Sequence, residues 1–429
     1  MTATENIRRR IETRISQGAF LASLLGMAKG DSTDVQEKFV IQLSRIAAQV
    51  RGIFENNDLI RRLPYDPKIF WPKQRGRAIA FIDAGVASID LPSTAPVGIR
   101  VGSYVVRPGD ESKERESFNI ELSLVDDLYS TRGHLFDDDF HDLAKLRDTA
   151  RMTSETAAAY RLAKVQGSAD IIMLHGPLVN PVAPYGLDEF PAFGLDACRT
   201  FHDEPQWDGD DTDRQFVPIY LGLLERLRNS GKPVFGVVER SVGRDPVVTR
   251  RLLAHLCEKK WLKESDRDNI LNGIQAYGLN DTALLDVVLG EGEYTSPIPV
   301  NRQGPVNKWP EQWKELIRKY PASLTTYLKP SEAVLPFRIE TFEDTPNLDD
   351  AIDLILHTSR LLPSYGFPVG LDIVDKFAKV PSWMSRGVKG QHQAVLIRKA
   401  LESGDPRAIT FAKRVLAAKG RDWLFRPEA

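Results

Sequence analysis

The chain has 429 residues, 42% of them hydrophobic and 27% charged, with a formal net charge of −2. This is the composition of a soluble globular protein long enough to bury a sizeable core. The charge balance excludes a simple basic binding module, so a nucleic-acid binder here must gather its Lys and Arg in one groove. Cys198 and Cys257 are too few and too far apart for a disulfide framework or a zinc site. The polar stretch Met1 to Arg14 carries no signal-peptide pattern, and no run reaches the roughly 18–20 apolar residues of a membrane span. A cytoplasmic protein with no membrane anchor is expected.

Residues 1 to about 62 read as two amphipathic helices. Ile7, Ile11, Ile15, Phe20 and Leu21 mark the first, and Phe39, Leu43, Ile46, Val50, Phe54 and Ile60 the second. Pro64, Pro67 and Pro72 then break the helical pattern. Three strands follow, Arg77–Asp83, Val97–Val106 and Phe118–Val125, joined by polar links that suggest an antiparallel meander. A long helix is expected over Asp139–Val165, then a strand Ala169–Leu174, a helix Ile219–Asn229 and a strand Pro233–Val238. Between them, residues 180–218 form a long acidic loop containing Trp207-Asp208-Gly209-Asp210-Asp211. Residues 245–275 read as helical, 290–310 as loop and Ala333–Glu340 as strand, with helices from Leu348 onward. This alternation predicts a mixed α/β fold.

Four residues stand out as candidates for chemistry. Asp83 ends the apolar run Ala78–Ile82 and His175 ends Ile171–Leu174, each beside small residues. A polar group at a buried strand end is held rigidly and exposed by the turn. Asp83 reads either as a turn aspartate or as an oxygen ligand for Mg²⁺ or Mn²⁺. His175 reads either as a hydrogen-bonded edge of the core or as a ligand. Glu155 lies in the small-residue patch Thr153-Ser154-Glu155-Thr156-Ala157-Ala158-Ala159, which lets a helix approach a sheet closely; a solvated helix face is its other reading. Asp375 sits on a predicted helix beside the face Leu371-Val374-Ala378, where a surface charge is the plain reading. Arg240, Arg244, Arg250 and Arg251 form a basic cluster after the Pro233–Val238 strand, either a phosphate contact or a solvated face.

Taken in order, these segments resemble the NurA nuclease family, partner of the HerA hexameric translocase, over roughly residues 35 to 385. Ala80-Phe81-Ile82-Asp83-Ala84-Gly85 is similar to its first acidic strand, and Ile172-Met173-Leu174-His175-Gly176-Pro177-Leu178 to its second. Glu155 falls where the family places a helical glutamate. Val234–Ser241 resembles a strand ending in lysine, Phe337-Arg338-Ile339-Glu340 a late Arg-Val-Glu strand, and Gly366-Phe367-Pro368 through Asp375 a Tyr-Pro-Leu-Ala-His helix start.

The resemblance implies an RNase H-like core flanked by N- and C-terminal helical extensions. It also implies a homodimer and Mn²⁺-dependent (or Mg²⁺-dependent) cleavage of DNA ends with a HerA-like ATPase, in repair or phage defence. It divides the chain into a helical dimerisation or packing segment 1–72, a nuclease domain 73–385 and C-terminal helices 386–429. Asp83, Glu155, His175 and Asp375 become catalytic metal ligands, and Arg240, Arg244 and Arg338 become DNA contacts. The departures are specific. His175 stands where the family has Asp, Asp375 where it has His, Phe367 where it has Tyr, and Glu239 where it has Lys. Either the Asp and His ligands have traded places and the enzyme works, or the chain is a degenerate scaffold that regulates its ATPase.

Overall fold

The computed structural model describes residues 41–88, 97–125, 140–165, 167–180, 216–239, 245–301, 311–362 and 365–417. The first predicted helix and the acidic stretch 181–215 lie outside them. Helix α1 (Leu43–Asn56) buries Leu43, Ile46, Ala47, Val50 and Phe54 along one stripe. It stops short of the expected Arg62. The Asn57 side chain caps the Ile53 carbonyl at 2.7 Å, and Asp58 turns the chain with φ 54°. Residues Ile60–Arg62 then extend as strand β1. Helix α2 (Pro67–Lys73) starts where the Asp66 carboxylate accepts the Lys68 and Ile69 amides and Pro67 presets the first turn.

The central strands follow. β2 (Ile79–Ser88), β3 (Val97–Val106) and β4 (Glu116–Val125) form the expected antiparallel meander. Helix α3 (Phe140–Lys164) crosses to β5 (Ile171–His175), which pairs parallel to β2. Helix α4 (Phe216–Asn229) crosses to β6 (Val234–Val238), parallel to β5. The resulting order β4-β3-β2-β5-β6 is an RNase H-like core.

The sheet continues beyond that core. Helices α5 (Val247–Glu258), α6 (Glu264–Ala276) and α7 (Asp281–Val288) lead to the short strands β7 (Glu293–Thr295) and β8 (Ile298–Val300). These strands fall where a loop was expected: three residues each are too few to show a periodicity. After helix α8 (Glu311–Arg318) come β9 (Ser323–Leu328) and β10 (Phe337–Thr341). β9 is Ser- and Thr-rich, and its buried hydroxyls are matched locally, as between Thr326 and Thr295 at 3.2 Å. Helices α9 (Leu348–Ser359), α10 (Val369–Ala378), α11 (Ser382–Ser403) and α12 (Pro406–Ala417) close the chain. The full order is β1-β7-β9-β10-β6-β5-β2-β3-β4, with β8 on β9.

Strand alternation divides the core between the sheet's two faces. Ala80, Ile82, Ile172 and Leu174 pack under α3 and α4. Ile79, Phe81, Ile171 and Met173 pack on the other side, with α9 and α10. On the α3 side, α1 shares a further cluster with α5, α6 and α7 above Tyr327 of β9.

Candidate metal centre

Asp83 and His175 leave the sheet on the same face, because each lies two residues beyond a core position of that face (Phe81 and Met173). The parallel register pairs Ile82 with Leu174, so Asp83 and His175 emerge side by side. The Asp83 Oδ2 lies 3.3 Å from the His175 Nδ1, and its Oδ1 accepts the Ala84 amide at 2.8 Å. The turn after His175 is fixed from below. A Cβ on Gly236 would collide with the Leu178 amide nitrogen, so the backbone rests directly on β6. The buried Glu340 carboxylate accepts the Leu178 amide at 3.1 Å, and the Gly176 amide donates to the Val237 carbonyl at 2.9 Å.

Asp375 arrives from α10, which lies across β2 and β3 on this face. The approach is close: a Cβ on Gly85 would collide with the Ala378 carbonyl oxygen. One ligand atom each from Asp83, His175 and Asp375 falls within 4.8 Å of the others. Three of the four expected residues are thus brought together by the end of β5, a mid-strand position of β2 and one helix; β2 does not end at Asp83 as expected but runs on to Ser88, paired with β3 throughout. Glu155 comes from α3, beneath the opposite face. It is outside that three-residue cluster, although its charge acts on both Asp83 and His175. Arg151, one turn earlier, holds its Oε2 at 3.0 Å.

The electrostatics are those of a carboxylate-rich site. Burial pushes the Glu155 carboxyl up to about 8; Arg151 opposes this, Asp83 adds to it and His175 opposes it. Burial by itself lowers the His175 pKa. The hydrogen bond and charge of Asp83, then the charges of Glu155 and Asp375, outweigh it and leave the imidazole above its usual value. Two oxygen donors and one embedded imidazole fit a divalent cation of the Mn²⁺ or Mg²⁺ kind. Imidazole in place of an oxygen donor tilts the set toward Mn²⁺.

The structure also supplies neighbours that the sequence did not single out. Lys379 forms an ion pair with Asp375 one turn away, and its ammonium is held above its ordinary pKa by Asp375 first and by Asp83 and Asp372 further off. Tyr365 has its hydroxyl pKa raised by burial, by a hydrogen bond to Asp372 and by the charges of Glu239 and Asp375. The i, i+4 spacing of Asp375 and Lys379 is the one signal that pointed to the lysine. Phe367, buried, meets the His175 ring edge-on at 5.5 Å.

The expected DNA contacts fare differently. Arg338 is buried, 6% exposed, with its Nε 2.9 Å from the Glu340 carboxylate. Alternation on β10 places it on the same face as Glu340, beside Tyr327 of β9. Arg240 and Arg244 lie outside the described residues. Arg250 and Arg251 lie on α5, paired with Asp245 at 3.7 Å and Glu258 at 2.6 Å.

A family model for the NurA domain matches residues 77–380. The chain belongs to the NurA family. The match takes in Asp83, Glu155, His175, Asp375 and Lys379. Among solved structures, the NurA nuclease from Sulfolobus solfataricus is 12% identical over 91% of this chain and 98% of that one, with a TM-score of 0.46. A NurA structure with manganese is 12% identical over 85% and 95%, with a TM-score of 0.40. One bound to dAMP and manganese is 16% identical over 89% and 94%, with a TM-score of 0.34. At these scores the NurA assignment rests on the family model. No curated protein matches the chain. Among the described residues no helix is long and apolar enough to cross a membrane.

Proposed function

We propose that this NurA protein is a metal-dependent nuclease that hydrolyses DNA phosphodiester bonds. The observation that carries the reading is the convergence of Asp83, His175 and Asp375 donors at the mouth of an RNase H-like sheet. Asp83, His175 and Asp375 would hold the ion, with Glu155 completing the set from across the sheet. A bound divalent ion supplies positive charge to the scissile phosphate and lowers the pKa of a water. Around it, the chain's residues do the positioning. Asp83 orients the His175 ring through Nδ1, Glu340 and Gly236 fix the turn behind it, and α10 presses Asp375 into place. Glu155, whose carboxyl burial holds above its usual pKa, would supply a further oxygen donor from α3, held by Arg151. Manganese is the first ion to test: a NurA crystal contains it, and an imidazole donor suits it.

The residues 73–385 would form the nuclease unit, the chain would act as a homodimer, and a HerA-like hexameric ATPase in the cytoplasm would feed it DNA during repair or phage defence. A second reading has its own support. His175 already pairs with Asp83 and Lys379 with Asp375, so the site is partly neutralised from within, as in a degenerate scaffold that regulates its ATPase. One experiment separates the two. Full-length protein is incubated with linear DNA in Mn²⁺, in Mg²⁺ and in EDTA, alone and with the ATPase, beside Asp83→Asn. Cleavage in Mn²⁺ that Asp83→Asn abolishes supports the nuclease; no cleavage in any condition, with Asp83→Asn indistinguishable, supports the scaffold.

A further inference from the structure

We propose that the open face of β4 and the outer side of α10 form a ledge that binds single-stranded nucleic acid and leads it to the metal centre. The inference deepens the nuclease reading and rests on it. Strand alternation places Phe118, Ile120 and Leu122 opposite Tyr104, Gly102 and Arg100 of β3, on the same side of the sheet as Asp83. α10 rests on β2 and β3, and the Phe118 ring of β4 meets Phe377 at its edge. Phe118 is 49% exposed, Leu122 53% and Phe377 on α10 42%. The rings are in register: Tyr104 and Phe118 stack at 4.3 Å and 16°, and Phe377 follows at 5.2 Å.

Cations line the same route. The Arg100 guanidinium donates to the Lys379 carbonyl at 3.1 Å, tying β3 to the end of α10. Lys376 and Lys379 project from that last turn, with side chains 68% and 69% exposed, each paired one turn back with Asp372 and Asp375. Phe377 lies two residues from Asp375, so ring, ammonium and candidate ligand share one helical turn. Lys379 pairs with Asp375 in the metal-free chain; a carboxylate engaged by an ion leaves that ammonium to a phosphate. Exposed rings interleaved with cations suit a strand whose bases are unstacked and whose phosphates run alongside. A duplex hides its base faces and gains nothing from the rings. A purely protein partner would use the apolar stripe but has no need of the cations beside it.

The test uses the full-length chain in EDTA, where no cleavage intervenes, and fluorescence anisotropy with an oligothymidylate about 20 nucleotides long and a blunt duplex. Phe118→Leu and Phe377→Leu keep the apolar surface and remove the ring; Phe377→Tyr keeps the ring. The Leu variants should bind the single strand about tenfold more weakly or worse, while Phe377→Tyr matches wild type and duplex binding stays within about twofold of wild type. Leu variants that bind oligothymidylate like wild type overturn the ledge. If they do so and also lose a dimer seen in the wild type by light scattering, the stripe is an interface between copies. Cleavage in Mn²⁺, assayed on the same preparations, keeps the two readings apart. Wild-type cleavage with ring-independent binding sinks only the ledge. Ring-dependent binding without any cleavage sinks only the nuclease reading.

Discussion

At the scale of single residues, the Glu155 carboxyl and the His175 imidazole shift in the same direction. Glu155 is raised from 4.5 to about 8, and His175 is raised from 6.5. In the folded chain each keeps a proton that the unfolded chain has released. Their stabilisation is complete below the unfolded pKa values and is lost as pH rises through the folded ones. The metal-free protein should therefore lose thermal stability between about pH 5 and 8, and Glu155→Gln should flatten part of that fall. Mn²⁺ must displace the same protons, so its increment in Tm should grow from about pH 6 to 8; an increment that shrinks over this interval contradicts the assignment. The Asp and His exchange has its own test. His175→Asp and Asp375→His should each cost about 100-fold or more in cleavage rate, and the double variant should recover part of the loss if the two ligands compensate. A double variant no better than either single one shows that they do not.

At the scale of elements, α10 and the turn after His175 are set by two glycines against which neighbouring backbone packs. Gly85→Ala should push α10 off β2, removing the Mn²⁺ increment in Tm while costing the fold about 1–3 kcal/mol. Gly236→Ala should cost a similar amount and displace the His175 turn; circular dichroism melts with and without Mn²⁺ measure both. A Gly85→Ala protein with an intact Mn²⁺ increment would show that α10 does not deliver the third ligand. Much of this region was legible in the sequence. The β5 end showed because its apolar run stops abruptly at His175, and α10 showed because Leu371, Val374 and Ala378 keep helical spacing; the end of β2 did not, because the small residues after Asp83 read as a turn while the strand pairs on to Ser88. The burial of Arg338 was not legible, because strand alternation alone does not say which face of a central strand is covered. β9 was hidden by its hydroxyls, and β7 and β8 by their shortness. Lys379 lacked any pattern of its own until Asp375 had a role.

At the scale of the whole molecule, the cooperative unit is larger than the family match. β1 and α1 precede residue 77, yet β1 pairs with β7, and α1 buries Val50 and Phe54 against α5, α6 and α7. A fragment of residues 77–380 should therefore expose that cluster and aggregate, whereas Phe54→Ala in the full chain should cost about 3–5 kcal/mol. Size-exclusion chromatography and denaturant melts check both; a monomeric, cooperatively melting fragment would show that α1 and β1 are accessory. The sheet order has a further result in time. Asp83 and His175 are adjacent in space through a crossover made early in the chain, but Asp375 comes from the far end of the family-matched stretch. On a ribosome, the sheet's central strands emerge long before Asp375, the last of the three residues proposed to hold the ion. A nascent or prematurely terminated chain lacks that donor, so the cell would meet this nuclease armed only after translation has passed α10.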